Sequence, residues 1–114
     1  MDADAISRDP NVVKAYVDDP LVFHGKTPAW SAAELLKAMQ RVTAEAGKIT
    51  LPLMTMQGGE DRIVHPGAAQ TLYDKAGSKD KSIRIYEGLY HETFNEPERA
   101  RVLKDMETWL AAHI

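Results

Sequence analysis

The chain has 114 residues, of which 44% are hydrophobic and 27% charged, and none is cysteine. This length suits one small domain, and the apolar content is too high for a disordered chain. A net charge of −3 argues against a nucleic-acid partner, which needs a basic face. No run of about 18 apolar residues would span a membrane, and the start MDADAISRDP lacks the apolar core of a secretion signal. The absence of cysteine is typical of a cytoplasmic protein and leaves no disulfide or thiolate metal site.

Two helices are predicted in the first part of the chain. The dipeptide Asp9-Pro10 predicts a helix start, because an acidic residue precedes a proline at the first helical position. We expect this helix to end before Asp18-Asp19-Pro20, because proline disfavours the helical conformation in the residue that precedes it, and residues 21–30 are predicted to be irregular. Ser31 and Glu34 have the spacing of a capping box and predict the start of a second helix, which we expect Gly47 to end.

The second part of the chain predicts an α/β fold. Residues 49–57 are nearly all apolar and predict a strand buried on both faces, with Pro52 at the start of its paired part. A helix opened by Pro66 follows, then an alternating strand at 82–86, then a last helix with Asn95 as its capping residue. The order strand, helix, strand, helix favours a parallel sheet with a right-handed crossover.

An acid and a histidine follow the two predicted strands. Asp61 lies four residues past the first strand and His91 five residues past the second. Both loops leave the same edge of a parallel sheet, so the carboxylate and the imidazole can meet there. The acid would then orient the imidazole while the histidine takes a proton. The alternatives at this point are a solvated aspartate and a structural histidine, and Glu60 is a second candidate for the acid.

The stretches LPLMTMQGGEDRIVHP, LYDKAGSKDKSIRIYEGLYHETFNEPER and VLKDMETWL carry a family resemblance. Together with SRDPNVVKAYVDDPLVFHGKTPAW, they resemble the C-terminal part of the bacterial monoacylglycerol lipases, which are lysophospholipase-like α/β-hydrolases. The resemblance implies that residues 1–30 are the end of the family's cap region and its return to the core. Residues 31–114 would be the C-terminal part of the core, a partial α/β-hydrolase fold with its last two parallel strands and flanking helices.

The same resemblance assigns roles to the loop residues. Asp61 fills the family's G-x-x-D-R position and would be the triad acid, and His91 fills the Gly-x-x-His position and would be the base. The order of acid before histidine agrees with that of α/β-hydrolases. The implied function is part of a serine carboxylester hydrolase that acts on monoacylglycerols or similar lipid esters, without a cofactor.

The family's nucleophile motif, G-x-S-x-G, does not occur in the sequence. None of the serines has glycines on both sides at that spacing; they are Ser7, Ser31, Ser78 and Ser82. The chain therefore contains two of the three groups that an activated serine needs. We expect the isolated chain to be a C-terminal portion of the enzyme and to be inactive, and we do not expect another serine to substitute.

Two further patterns have weaker functional interpretations. His91-Glu92 resembles the start of the zinc motif H-E-x-x-H, but Asn95 stands where the second histidine would be, so no metal site is expected. Leu21, Phe23 and Trp30 are candidates for an acyl pocket, although packing between the cap region and the sheet is the favoured interpretation.

The first predicted strand lacks its inner neighbour within these 114 residues. A nearly continuous apolar strand with an open edge is an association site. The alternative function is therefore a non-catalytic interaction module, or a truncated scaffold, that self-associates. The partner at the open edge would be a second copy of the chain or a separate polypeptide.

Overall fold

The computed structural model describes residues 2–114, which form two strands, four α-helices and three short 3₁₀ helices. In chain order the longer elements are α1 (Pro10–Asp18), α2 (Ala29–Glu45), β1 (Leu53–Gly58), α3 (Ala68–Lys75), β2 (Lys81–Tyr86) and α4 (Arg99–Ala111). The 3₁₀ helices are Ala3–Ala5, Ala46–Lys48 and Thr93–Asn95. None of these described helices combines the length and apolar character needed to span a bilayer.

The two strands pair in parallel and form the sheet. Leu53 lies opposite Lys81 and Gly58 opposite Tyr86, so the strands are in register from end to end. The connection between them runs through α3, as parallel strands require a crossover. The predicted order of strand, helix, strand and helix and the parallel pairing are confirmed.

One face of the sheet packs against α4. Tyr86, Leu89 and Val102 form the buried cluster, and Met56 of β1 packs against it. The phenol of Tyr86 donates a hydrogen bond to a carboxylate oxygen of Asp105 at 2.9 Å. Burial, together with this acceptor, raises the pKa of Tyr86 to about 12, so the phenol keeps its proton and the hydrogen bond at neutral pH. This contact fixes α4 against the end of β2.

The other face of the sheet packs against α3 through polar contacts at both ends of that helix. Lys81 Nζ donates to the carbonyl oxygens of Tyr73 at 2.6 Å and Ala76 at 2.9 Å, which satisfies the C-terminal end of the helix. At the N-terminal end, the side chain of Gln57 accepts a hydrogen bond from the backbone N–H of Ala69 at 2.9 Å. Both strands therefore contribute a side chain that holds α3 in place.

The start of α2 differs from the prediction. The helix begins at Ala29, preceded by Pro28 in an extended conformation, and Ser31 lies inside its first turn. Glu34 forms an ion pair with Lys37 instead of reaching back to the helix start. The capping-box prediction is wrong, because Pro28 and not Ser31 precedes the first helical residue, so the helix begins three residues earlier than predicted.

The predicted end of α2 at Gly47 and the predicted cap of α4 at Asn95 also differ from the structure. Each lies within a 3₁₀ helix, and α4 begins at Arg99. Glu96 adopts an extended conformation with φ −78° and ψ 158°, as the residue before Pro97 is expected to do. The proline therefore interrupts the helical path after Asn95, and the prediction that this residue caps α4 is wrong.

A large part of the apolar surface is exposed. Leu35, Leu36, Met39 and Val42 of α2 are each 53–64% exposed, and the three residues of the predicted cap–sheet packing, Leu21, Phe23 and Trp30, are more exposed still. That packing prediction is wrong for the described residues. The apolar side chains of β1 are only half-buried, so the strand is not buried on both faces as predicted. Within residues 2–114 the strand has one paired edge, toward β2.

Gly58 lies at the end of β1, where the loop that follows β2 crosses it. A Cβ atom at this position would collide with the backbone carbonyl oxygens of Leu89 and Tyr90. These are backbone atoms held by their own turn, so they cannot move aside as a flexible side chain would. Glycine is needed here for the close approach of the two chains.

Substitution Gly58→Ala is expected to destabilise the fold by about 2 kcal/mol or more, because the two loops must separate to accept the methyl group. Gly47→Ala is the matched control, since the nearest atom to its Cβ would be 3.9 Å away. We expect that control to be neutral or slightly stabilising. Urea unfolding followed by circular dichroism measures both, and equal effects of the two substitutions would contradict the prediction.

Candidate active site

The loops that follow β1 and β2 are joined by backbone hydrogen bonds at one edge of the sheet. The N–H of Gly59 donates to the carbonyl oxygen of Tyr86 at 2.8 Å, and that of Glu60 donates to Leu89 at 3.0 Å. Leu89 N–H in turn donates to Tyr86 at 3.2 Å, which closes a turn containing Gly88 at φ +79°. The left-handed conformation of that turn favours glycine. These contacts fix the relative position of the two loops.

The structure brings the predicted acid and the predicted histidine together across these loops. Asp61 Oδ2 and His91 Nδ1 are 3.0 Å apart, which is a hydrogen-bond distance. The side chain of Asp61 is only 3% exposed, whereas that of His91 is 35% exposed. The carboxylate therefore lies beneath the imidazole, and the imidazole faces the surface.

Backbone groups hold the other carboxylate oxygen. Asp61 Oδ1 accepts hydrogen bonds from the N–H groups of Ile63 at 2.8 Å and Val64 at 2.9 Å. Burial by itself raises the pKa of this side chain, but the two backbone hydrogen bonds and the contact with His91 outweigh it. The pKa of Asp61 therefore lies below its ordinary value, and the carboxylate is ionised at neutral pH.

An ionised carboxylate fixes the tautomer of the imidazole. Because ionised Asp61 can only accept hydrogen bonds, its contact with His91 requires a proton on Nδ1. Neutral His91 then has its lone pair on Nε2. His91 can therefore accept a proton at Nε2, and Asp61 can stabilise the resulting cation. These are the roles of a general base and its orienting acid.

Gln57 is part of this site and is not among the residues predicted from the sequence. Its Nε2 donates to the carbonyl oxygens of Val64 at 3.2 Å and His65 at 3.0 Å, and its Oε1 accepts from Ala69. The side chain thus lies against the turn that carries Asp61. The available signal was a lone amide at the end of a mostly apolar strand, where a buried polar group needs partners.

The segment before α1 holds the loop of the histidine. The N–H of Glu92, next to His91, donates to the carbonyl oxygen of Ile6 at 2.9 Å. Glu96, which is fully buried, accepts from the backbone N–H of Arg8 at 2.8 Å and from its Nε at 2.6 Å. Residues 6–8 therefore lie directly against the loop at 92–96. The domain boundary at residue 30 stays a prediction.

An open groove of about 400 Å³ runs along the free edge of β1 and ends at the acid and the histidine. Its walls are mainly apolar. The side chains that line it include Met54, Met56, Val64 and Leu72.

The other candidates from the sequence are not part of this site. Glu60 is exposed, so Asp61 is the acid that contacts the histidine. His24 lies edge-on to Tyr16, and His65 accepts a hydrogen bond from the backbone of Gly67. His113 stacks on Trp109 and pairs with Asp80. Within residues 2–114 no three His, Asp or Glu side chains cluster as metal ligands would.

The serines are engaged in structural contacts or lie in regular elements. Ser7 Oγ donates to the carbonyl oxygen of Asn95, and Ser78 Oγ donates to that of Leu51. Ser31 lies in the first turn of α2, and Ser82 lies near the start of β2, at the opposite end of that strand from the histidine loop. Among the described residues, no serine hydrogen-bonds to His91.

The chain has relatives over its whole length. The family model described as "Serine aminopeptidase, S33" (Hydrolase_4) matches residues 1–98. The monoacylglycerol lipase of Mycolicibacterium smegmatis is 44% identical over the entire chain, and the caffeoylshikimate esterase of Arabidopsis thaliana is 38% identical over 90% of it. The chain spans 41% and 32% of the length of these two relatives.

A solved structure agrees with the sequence relatives. The crystal structure of the monoacylglycerol lipase from Paleococcus ferrophilus superposes on the whole chain with a TM-score of 0.92 at 32% identity. The match covers 44% of that protein. The prediction of a partial α/β-hydrolase fold is confirmed, as is the resemblance to the monoacylglycerol lipase family.

The lowered pKa of Asp61 predicts an acid-dependent contribution to stability. Its folded pKa lies below the unfolded value of about 3.9, so the stabilisation is fully present above that value and is lost as the pH falls through the folded pKa. Asp61→Asn keeps an acceptor for Ile63 and Val64 but removes the charge. We expect it to cost about 1–2 kcal/mol at pH 7 and progressively less below pH 4.

Urea unfolding of the native chain and the Asp61→Asn variant at pH 7, 5, 4 and 3 measures this difference. Asp74→Asn, on the exposed face of α3, is the matched control and should change stability little at any of these pH values. A constant difference between the native chain and Asp61→Asn across the series would contradict an ionised Asp61 in the folded state.

Proposed function

The chain belongs to the serine aminopeptidase S33 family of α/β-hydrolases, and we propose that it supplies the acid and the base of a carboxylester hydrolase. The observation that carries this proposal is the 3.0 Å contact between ionised Asp61 and Nδ1 of His91 at the edge of the sheet. In this proposal Asp61 is the orienting acid and His91 the general base of a Ser-Asp-His triad.

The serine of the proposed triad lies outside these 114 residues, since the sequence contains no G-x-S-x-G motif. His91 takes the proton of that hydroxyl at Nε2 while the serine oxygen attacks the ester carbonyl. The imidazolium then gives the proton to the leaving alcohol, and water releases the acyl group in a second, equivalent step. Asp61 stabilises the imidazolium in both steps.

The proposed substrate is a monoacylglycerol or a similar lipid ester. The names of the Mycolicibacterium and Paleococcus relatives support this class, and the caffeoylshikimate esterase relative supports ester hydrolysis more broadly. A cytoplasmic location stays a prediction.

A chimera tests the proposal. The 114-residue chain is joined to the part of the Mycolicibacterium lipase that the match leaves out, and it is assayed with a p-nitrophenyl ester and a fluorophosphonate probe. We expect no turnover or labelling of the chain alone, and both for the chimera. His91→Ala in the chimera should lower kcat by roughly 10³-fold or more, because the serine loses its base.

His24→Ala, an exposed histidine away from the site, is the matched control and should leave kcat unchanged. Labelling of the chain alone, or a His91→Ala chimera as active as its parent, would show that the triad assignment is wrong.

A second candidate function is self-association, and the exposed apolar surface favours it. Five large apolar residues of α2 are more than half exposed, and one edge of the sheet, along β1, is unpaired within residues 2–114. Apolar patches and open strand edges of this kind are association sites. In this candidate function, a second copy of the chain covers α2 and the free edge of β1.

Light scattering over a dilution series tests self-association. We expect a mass above that of the monomer, and we expect the double substitution Leu36→Glu with Met39→Glu to weaken association at least about tenfold, since two charges would be buried at the contact. Val17→Glu, at a similarly exposed position of α1, is the matched control. A monomeric native chain at all concentrations would eliminate this candidate.

A further inference from the structure

We propose that Gln57 is a positioning residue for the acid: its amide holds the turn of residues 61–65 in the conformation that presents Asp61 to His91. The effect of Gln57 on catalysis rests on the proposed function, because the residue belongs to the same site. The positioning of the turn by Gln57 is argued from hydrogen bonds that do not depend on the identity of the substrate.

The evidence begins with Val64, which is held on both sides. Its N–H donates to Asp61 Oδ1 at 2.9 Å, while its carbonyl oxygen accepts from Gln57 Nε2 at 3.2 Å. The same amide nitrogen donates to the next carbonyl, that of His65, at 3.0 Å. Gln57 therefore fixes the peptide groups that follow the aspartate, and one of those residues supplies a hydrogen bond to the carboxylate.

The amide oxygen fixes the other end of the same loop. Gln57 Oε1 accepts from the N–H of Ala69 at 2.9 Å, in the first turn of α3. The residue that precedes this helix, Gly67, provides no side-chain cap, so the glutamine of the neighbouring strand takes that role. One side chain of β1 therefore hydrogen-bonds both to the turn of residues 61–65 and to the first turn of α3.

Only a glutamine-like group meets these requirements. Two donors and one acceptor are used from one planar amide, which glutamate and methionine of similar size cannot provide. The side chain is buried, with the residue 7% exposed, so loss of the amide would remove its hydrogen bonds to Val64 and Ala69, while the carbonyl oxygen of His65 would keep the N–H of Ala68 as a donor. Thr55, two residues earlier and equally buried, has a hydroxyl without a hydrogen-bond partner in the described residues and makes a matched control.

The test is the carbon-13 NMR titration of the Asp61 carboxyl group in the native chain and in Gln57→Met and Thr55→Val. We expect Gln57→Met to raise the pKa of Asp61 toward its ordinary value of about 3.9. The reason is that the turn would no longer hold the N–H groups of Ile63 and Val64 in position to donate to the carboxylate. We expect Thr55→Val to leave this pKa unchanged. Amide correlation spectra establish that each variant is folded.

An unchanged pKa in folded Gln57→Met, or an equal shift in Thr55→Val, would overturn the proposal. A measurement on the native chain applies even where Gln57→Met does not fold: scalar couplings across the hydrogen bonds should join Gln57 Nε2 to the carbonyl carbons of Val64 and His65. Their presence supports the proposal, and their absence overturns it.

The effect of Gln57 on catalysis is tested separately in the chimera. There Gln57→Met should lower kcat about tenfold or more, because the acid is misplaced, whereas Thr55→Val should leave kcat unchanged. An inactive parent chimera would refute the proposed function, whereas the titration of Asp61 would still decide whether Gln57 positions the carboxylate.

Discussion

β1 and β2 run in the same direction and end at the same level, so the chain leaves both strands at one edge of the sheet. The N–H groups of Gly59 and Glu60 then hydrogen-bond to the turn that follows β2. A side chain at Gly58 would prevent this approach. The short distance between Asp61 and His91 is therefore a consequence of the strand pairing and of the backbone hydrogen bonds between the two loops.

The two partners lie in different environments, and each environment suits a different role. Asp61 is buried but has a full set of hydrogen-bond donors, so it keeps its charge despite the cost of desolvation. His91 lies above it with about a third of its side chain exposed, which leaves the imidazole accessible for proton transfer. A rigid, ionised acid beneath an accessible imidazole is the arrangement that a general base requires.

The sequence was most informative about the parts governed by periodicity and spacing. The apolar run of β1, the alternation of β2 and the positions of the acid and the histidine after them were sufficient to place the two side chains at one edge. Local chemistry was less decisive, since Pro28 displaced the helix start from Ser31 and Pro97 displaced the start of α4 from Asn95. Gln57 was missed because its partners are backbone groups whose positions depend on the folded turn. Periodicity also identified the apolar face of α2 without indicating what, if anything, covers it.

The open edge of β1 and the pair formed by Asp61 and His91 lie in the same region of the molecule. The groove along the free edge of β1 ends at Asp61 and His91, so a strand that paired there in parallel would also end at the edge that carries them. Loops that follow such strands emerge beside the imidazole, where a nucleophile would have to lie. Pairing at that edge would bury the half-exposed apolar residues of β1 in the same step. One physical event, the covering of the open edge, would therefore both stabilise the sheet and bring a further chain segment to the histidine.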